Sequence, residues 1–414
     1  MRRGPLRFPA FRLLFAAQSI SSFGDRLVPV ALAFAVLGLT GSVTDLGVVL
    51  AAQTIPLVLF VLIGGVWADR LPRQRVMLAS DAVRALTQGA SGVLLLSSSA
   101  TVWQLAALQA IYGTAAAFFG PAATAVVAET VAADGLQPAN AMIGLSGNFT
   151  AVLGPAVAGV IVATIGPGWG LAVDGATFVG SAACLLAMRL PLPAGGPAPG
   201  TMIAQLRAGW SAFRCRAWLW VTVVFFTLYI GLCFAPLEVL GPQVARLSLG
   251  GPGAWAAISA ALGAGAIGGG VIGLRLRPRH PLRVAFLIFL VATPSLIALI
   301  AARAPLALIA LAALVEGATG TLFNVFWFTA LQSEIAPGEL SRVISWDYLG
   351  SVALQPVGQL VSGPIAAAIG LSSTLYVAAG VALVLFTSVL AVPAVRNFAL
   401  SQSGGQTSSA SSGE

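Results

Sequence analysis

Gly64 to Arg75 reads GGVWADRLPRQR, and Gly269 to His280 reads GGVIGLRLRPRH. Each stretch stands between two long apolar runs, with Gly64, Gly65, Val66, Arg70 and Leu71 aligned on Gly269, Gly270, Val271, Arg275 and Leu276. A short basic turn between apolar runs is a hinge between two membrane-crossing helices, kept at the lipid surface because arginine avoids hydrocarbon. Its recurrence makes the chain two related halves.

The composition agrees. Of 414 residues 58% are hydrophobic and 8% charged, against roughly a quarter charged in soluble domains. Crossing about 30 Å of hydrocarbon takes roughly twenty apolar residues, and only helices or closed barrels satisfy their backbone groups there. Twelve runs qualify, at 11–39, 45–68, 75–98, 102–128, 138–165, 169–189, 217–245, 252–275, 281–302, 305–331, 341–369 and 372–394. The expected architecture is an all-α integral membrane protein with twelve transmembrane helices, arranged as two six-helix bundles related by a pseudo-two-fold axis along the membrane normal. Pro29, Pro56, Pro121, Pro155, Pro294 and Pro356 fall inside runs and predict bent helices.

Every basic residue apart from His280 is arginine. With the N-terminus in the cytoplasm, Arg2, Arg3, Arg7, Arg12, Arg70, Arg73, Arg75, Arg189, Arg207, Arg214, Arg216, Arg275, Arg277, Arg279, Arg283, Arg342 and Arg396 all lie on that face, and only Arg246 and Arg303 on the other. The net charge of +8 is therefore a topology signal, and no nucleic-acid partner is expected. The expected location is the bacterial cytoplasmic (inner) membrane, with both termini cytoplasmic. The apolar stretch after MRRGPLRF is too long for a secretory leader and lacks a small-residue cleavage site, so it remains as the first helix.

Domains are expected at 1–189 and 217–396 as the two bundles, joined by a cytoplasmic linker at 190–216 and followed by a disordered cytoplasmic tail at 397–414. The linker opens with PLPAGGPAPG. Ile203, Leu206, Trp210 and Phe213 then recur at three and four residues with Arg207, Arg214 and Arg216 elsewhere, the spacing of a helix lying in the membrane interface or packed on the bundle. The halves also correspond at LGPAVAG (Leu153–Gly159) and LQPVGQ (Leu354–Gln359).

These residues resemble the major facilitator superfamily over about residues 8–396. The family's loop after its second helix is matched by Gly65, Asp69, Arg70, Arg73 and Arg75, with Pro72 where glycine is usual; Arg275 repeats it in the second half. SSFGDRLVPVALAFAVLGLTGS (Ser21–Ser42) and RAGWSAFRCR (Arg207–Arg216) are similar to the macrolide-efflux and enterobactin-exporter-like branch. Gly147, Gly154, Pro155 and Gly159 resemble the helix 5 motif of exporters, with Ala158 replacing one glycine; the same residues also suit ordinary close packing of helices. Where relatives carry a helix 4 arginine four residues before a glycine, Gln109 stands before Gly113, so any coupling would use another group. The resemblance implies that Asp69 caps the cytoplasmic start of helix 11 near Ser341 and locks one state, a lock made one-sided by Leu274 in the second half.

Ionisable groups within the bilayer are candidates for function because hydrocarbon penalises them. Asp25, Asp81, Glu238, Glu316 and Asp347 are the proton-coupling candidates, with Arg26 and Arg84 as charge partners. Asp25 lies roughly 20 Å along its helix from Arg12 at 1.5 Å per residue, deep in the membrane. Asp81 and Arg84, spaced i,i+3, can pair on one helix face, and Arg26 is expected to pair with another helix rather than with Asp25. Asp174 is expected nearer the outer end of its helix, where water lowers its significance. Gln109, Phe118, Tyr229, Phe323, Trp327 and Trp346 are candidate cavity-lining residues.

Cys184, Cys215 and Cys233 lack CxxC spacing, and His280 is the only histidine. With no metal-ligand cluster, no GxxxxGK[ST] loop and no catalytic histidine, neither an enzyme nor a metal or cofactor site is expected. The expected function is secondary active transport, as proton-coupled efflux of small hydrophobic or amphipathic compounds by alternating access. The expected partners are the lipid bilayer, the substrate and protons, and the protein is expected to be monomeric. An importer on the same fold and a non-transport membrane protein are the alternatives.

Overall fold

The structure, a computed structural model, describes residues 5–132, 135–189, 210–211, 213–276, 278–335 and 337–399, without the side chains at 62–70, 128, 274, 337–338 and 341–342. Every regular element among these residues is helical. The long segments are α1 (Pro9–Thr40), α2 (Val43–Arg70), α3 (Arg73–Leu96), α4 (Val102–Thr130), α5 (Leu136–Thr164), α6 (Pro167–Ala187), α7 (Ala217–Leu249), α8 (Pro252–Arg275), α9 (Pro281–Ala301), α10 (Leu306–Glu334), α11 (Pro337–Val352, then Gln355–Ile369) and α12 (Leu371–Ala391).

Eleven of these meet the length and hydropathy of a membrane span; α3 does not. Its shortfall has a structural cause. Ser80, Arg84, Thr87 and Ser91, with Asp81 and Gln88 beside them, recur at helical spacing, and all are buried. The polar stripe of α3 faces the bundle interior and its apolar side faces outward, the reverse of a soluble amphipathic helix.

Two proline rules shape the spans. Proline clashes with the carbonyl four residues earlier. In α1 regular helix stops at Asp25 and resumes at Val28, and Pro29 lies four residues after Asp25. In α11 it stops at Val352, four residues before Pro356. In α7 the strain is absorbed differently, with π-helical turns at Ile230–Phe234 and Ala245–Leu249 on either side of Pro236 and Pro242. Local capping is clearest at α4, where the side chain of Thr101 and that of Gln104 each accept from the other's backbone N–H.

The helices pack as two six-helix bundles with repeated contacts. α2 lies on α4, and α3 on α4 and α6; in the second half α8 lies on α10, and α9 on α10 and α12. Between bundles, α5 meets α8 and α11 meets α2. Small residues allow this approach: a side chain at Gly159 would run into Ala256, at Gly263 into the main chain of Ala151, at Gly47 into that of Gln359, and at Gly363 into Thr44. Arg246 of α7 donates to the Leu37 carbonyl of α1, and Gln243 to that of Gly41 at 3.3 Å. Many of these contacts lie toward the face away from Pro9 and Arg396, so the bundles are closed there.

Candidate functional site

The α1 break puts Asp25 at the end of a helical segment, facing α3 and α4. Tyr112 donates its hydroxyl to Asp25 Oδ1, and Arg84 Nη1 stands 3.7 Å from Asp25 Oδ2. Arg84 Nη2 also donates to Asp81 Oδ1, the i,i+3 pair expected from sequence, while Ser181 of α6 donates to Asp81 Oδ2 at 2.6 Å. The guanidinium carbon lies 4.2 Å from the Phe119 ring centroid and 4.1 Å from that of Phe178. Both faces of this chemistry favour a fixed cation: charge-assisted hydrogen bonds and aromatic π clouds in a dry site. Access is uneven. The Asp25 side chain is 35% exposed and that of Asp81 is 0% exposed.

Asp174 corrects the sequence reading. It is fully buried inside the N-terminal bundle. Its helix starts at Pro167, two turns earlier, and α6 presses on α3 so closely that a side chain at Gly175 would meet the main chain of Gly89. Gln88 Nε2 donates to Asp174 Oδ2 at 2.8 Å, and Gln109 Nε2 to Gln88 Oε1 at 3.1 Å. Gln109 is thus not cavity-lining; it is fully buried and holds Gln88 in place. Arg26 also departs from expectation. It is exposed, and no carboxylate pairs with it among the described residues. The helix turn that aims Asp25 inward carries its neighbour outward.

In the C-terminal bundle no arginine pairs with the three half-buried candidate acids among the described residues. Thr293 donates to Glu316 at 2.8 Å, and Tyr229, just before the first π turn, at 3.3 Å. Gln359, just after the break in α11, donates to Glu238 of α7 at 2.9 Å. Trp327 donates its indole N–H to Asp347 at 3.0 Å. The halves therefore share a backbone plan but hold their acids differently, with a guanidinium in one and neutral donors in the other.

The aromatic candidates are placed mostly inside the C-terminal bundle. Tyr229, Phe323 and Trp327 are buried among Phe225, Phe226, Phe286, Phe289 and Phe386, with Phe323 and Trp327 stacked at 5.8 Å. They line a packed core rather than an open cavity. Trp346 lies against Trp210 at 5.0 Å, and half-buried Phe118 lines a surface groove of about 280 Å³ between α3 and α4.

Of the exporter-like glycines, Gly154 admits the Cβ and main chain of Arg26 and Gly159 meets Ala256, whereas Gly147 faces open space; Pro155 is buried. Arg73 binds Glu129 at 2.6 Å, tying the start of α3 to the end of α4, and Arg75 and Arg275 are exposed. The proposed lock lies outside the described side chains, since Gly65, Asp69, Arg70, Leu274 and Ser341 all fall among those omitted. Most of the linker helix, at 201–209 and 212, and the tail beyond 399 also lie outside the described residues. Among the described residues no group of His, Cys, Asp or Glu is arranged to hold a metal ion.

Residues 2–409 match the family described as transmembrane secretion effector. The chain belongs to that family, within the major facilitator superfamily. This major facilitator protein is 29% identical over 396 residues to the multidrug efflux pump Tap of Mycolicibacterium fortuitum, covering 90% of this chain and 92% of the relative. It is 31% identical over 216 residues to the enterobactin exporter EntS of Citrobacter koseri, covering 50% and 49% of the two chains. Its fold matches the crystal structure of the nucleoside transporter NupG with a TM-score of 0.76 at 15% identity, covering 92% of this chain and 98% of the other. A bacterial homologue of the human lysosomal transporter Spinster, in an inward-facing conformation, matches with a TM-score of 0.71 at 14% identity over 94% of this chain and 97% of that one.

Sequence reading missed Gln88, Tyr112, Ser181, Thr293 and Gln359 as site residues and set Asp174 aside. The signal for the first was present, because Gln88 continues the polar stripe of α3; the others meet their partners only across helices.

Proposed function

We propose that this major facilitator protein exports small hydrophobic or amphipathic compounds from a bacterial cytoplasm, driven by inward proton flow. The observation that carries the reading is the placement of Asp25: a partly exposed carboxylate at a break in a membrane-spanning helix, held by Arg84 and Tyr112 from two other helices. A group so placed takes or releases a proton as the helices that hold it shift, and thereby links proton movement to a change of access. The export direction is supported by the names of the relatives, a multidrug efflux pump and an enterobactin exporter.

In this reading the bundles, 1–189 and 217–396, rock about the seams α5/α8 and α2/α11. Both termini are cytoplasmic in the inner membrane, the closed face is periplasmic, and the described conformation is open toward the cytoplasm. The protein works as a monomer, without a cofactor or catalytic chemistry. Asp69 with Arg70 acts as a lock between bundles, and Glu238, Glu316 and Asp347 supply further proton sites.

The test is accumulation of hydrophobic dyes and antibiotics in efflux-deficient bacteria expressing the protein, with and without a protonophore, beside Asp25→Asn matched for membrane expression. Lower accumulation, abolished by both the protonophore and the substitution, is the expected result. Higher accumulation with the wild-type chain would reverse the direction and favour import, and lower accumulation that survives the protonophore would remove the proton.

A further inference from the structure

Among the described residues the N-terminal bundle encloses more acid than base. Asp25, Asp81 and Asp174 share one guanidinium, that of Arg84. Asp81 has donors on both oxygens, from Arg84 and Ser181. Asp25 has Tyr112 on one oxygen and Arg84 near the other, and is the partly exposed member. These two account for the direct contacts of Arg84 with carboxylates.

Asp174 is different in kind. Its Oδ2 takes one neutral hydrogen bond from Gln88, and Oδ1 is buried with no donor. Around it stand Asp25 on α1, Arg84 on α3 and Tyr112 on α4; α5 contributes no titratable group. Oδ1 and the Thr177 hydroxyl converge on the bare Cα of Gly24, the residue before Asp25, where a side chain would collide with both. The Thr177 hydroxyl donates to the Asp174 main-chain oxygen at 2.7 Å, so its lone pairs remain to accept from a neighbour. An ionised carboxylate in a buried site calls for donors on both oxygens and a cation in contact. A neutral acid needs one donor to its carbonyl oxygen and none to its hydroxyl oxygen, which is the pattern of donors at Asp174.

We propose that Asp174 is a second proton-binding carboxylate of the N-terminal bundle, carrying its proton on Oδ1 in the conformation described. Gln88, held by Gln109, marks Oδ2 as the carbonyl oxygen, and Gly24 leaves the space that the acid hydroxyl occupies beside Asp25. A part for this proton in coupling rests on the export reading above; its presence does not.

Infrared spectroscopy of the purified full-length protein in detergent at neutral pH tests this without a substrate. The protonated-carboxyl C=O band of the wild type is expected to lose one carboxyl equivalent in Asp174→Asn and to keep it in Asp25→Asn. A band unchanged by Asp174→Asn overturns the proposal, as does one lost in Asp25→Asn. Should Asp174→Asn fail to assemble, Gln88→Leu provides a second reading: removing the donor to Oδ2 is expected to move the band to higher frequency, and a band at the wild-type position overturns the assignment. Because no transport is measured, failure of the export reading and failure of this one are separate results.

Discussion

Arg84 on α3 bridges Asp81 of its own helix and Asp25 of α1, reaching the latter at 3.7 Å while two phenylalanine rings flank its guanidinium. One cation thereby ties the α1 break to the bundle core. Breaking such a buried pair from one side leaves the other charge stranded. Arg84→Gln is expected to destabilise the protein by about 3–5 kcal/mol, read as a lower thermal unfolding midpoint in detergent, with Arg84→Lys losing less because it retains the charge. An unchanged midpoint for Arg84→Gln would contradict the pairing.

Tyr112 has a narrower task, since its ring packs near Phe178 at 6.1 Å and only its hydroxyl meets Asp25. Tyr112→Phe keeps the packing and removes a hydrogen bond to a charged group, worth about 1.5–3 kcal/mol. Efflux is expected to fall by about tenfold or more, using the conversion of 1.4 kcal/mol to a factor of ten, with membrane expression retained and the unfolding midpoint lowered less than by Arg84→Gln. Wild-type efflux by Tyr112→Phe would detach the hydroxyl from function.

Glu316 allows the same comparison in the other half. Glu316→Gln retains an acceptor for Thr293 and Tyr229 and removes the capacity to bind a proton. Stability is expected to hold or rise, because an enclosed charge is removed, while uptake of protons during transport by reconstituted vesicles falls. Unaltered proton flux would exclude Glu316 from the coupling path.

At the seams, close approach depends on missing side chains. Gly47→Leu or Gly363→Leu would push α2 away from α11, and Gly263→Leu would push α8 away from α5. Each is expected to open the closed face and slow transport severalfold. Cysteine pairs across the seam should cross-link efficiently in the parent and poorly in the wedge variants; equal cross-linking would show that the seam tolerates the bulk.

Topology has a chemical test in the native cysteines. Cys215 is exposed at the start of the second half, whereas Cys233 is fully buried. A membrane-impermeant maleimide is expected to label Cys215 in inverted vesicles and not in intact spheroplasts, while leaving Cys233 unlabelled in both. Labelling of Cys215 in spheroplasts would reverse the orientation.

What the sequence alone determined was the frame. Apolar runs about twenty residues long must become helices in lipid, because no other local structure satisfies their backbone there. Pro29 and Pro356 foretold bends, and the paired hinges at Gly64–Arg75 and Gly269–His280 foretold two halves. The i,i+3 spacing of Asp81 and Arg84 likewise foretold their contact, since one helix turn brings them together. Tertiary structure decided what each polar group meets. Depth along one helix does not say which face looks inward, so Arg26 could not be recognised as exposed, nor Asp174 as enclosed, before α3, α4 and α6 were packed around them. Burial and partnership are properties of neighbouring helices, and the distances that set them are independent of separation along the chain.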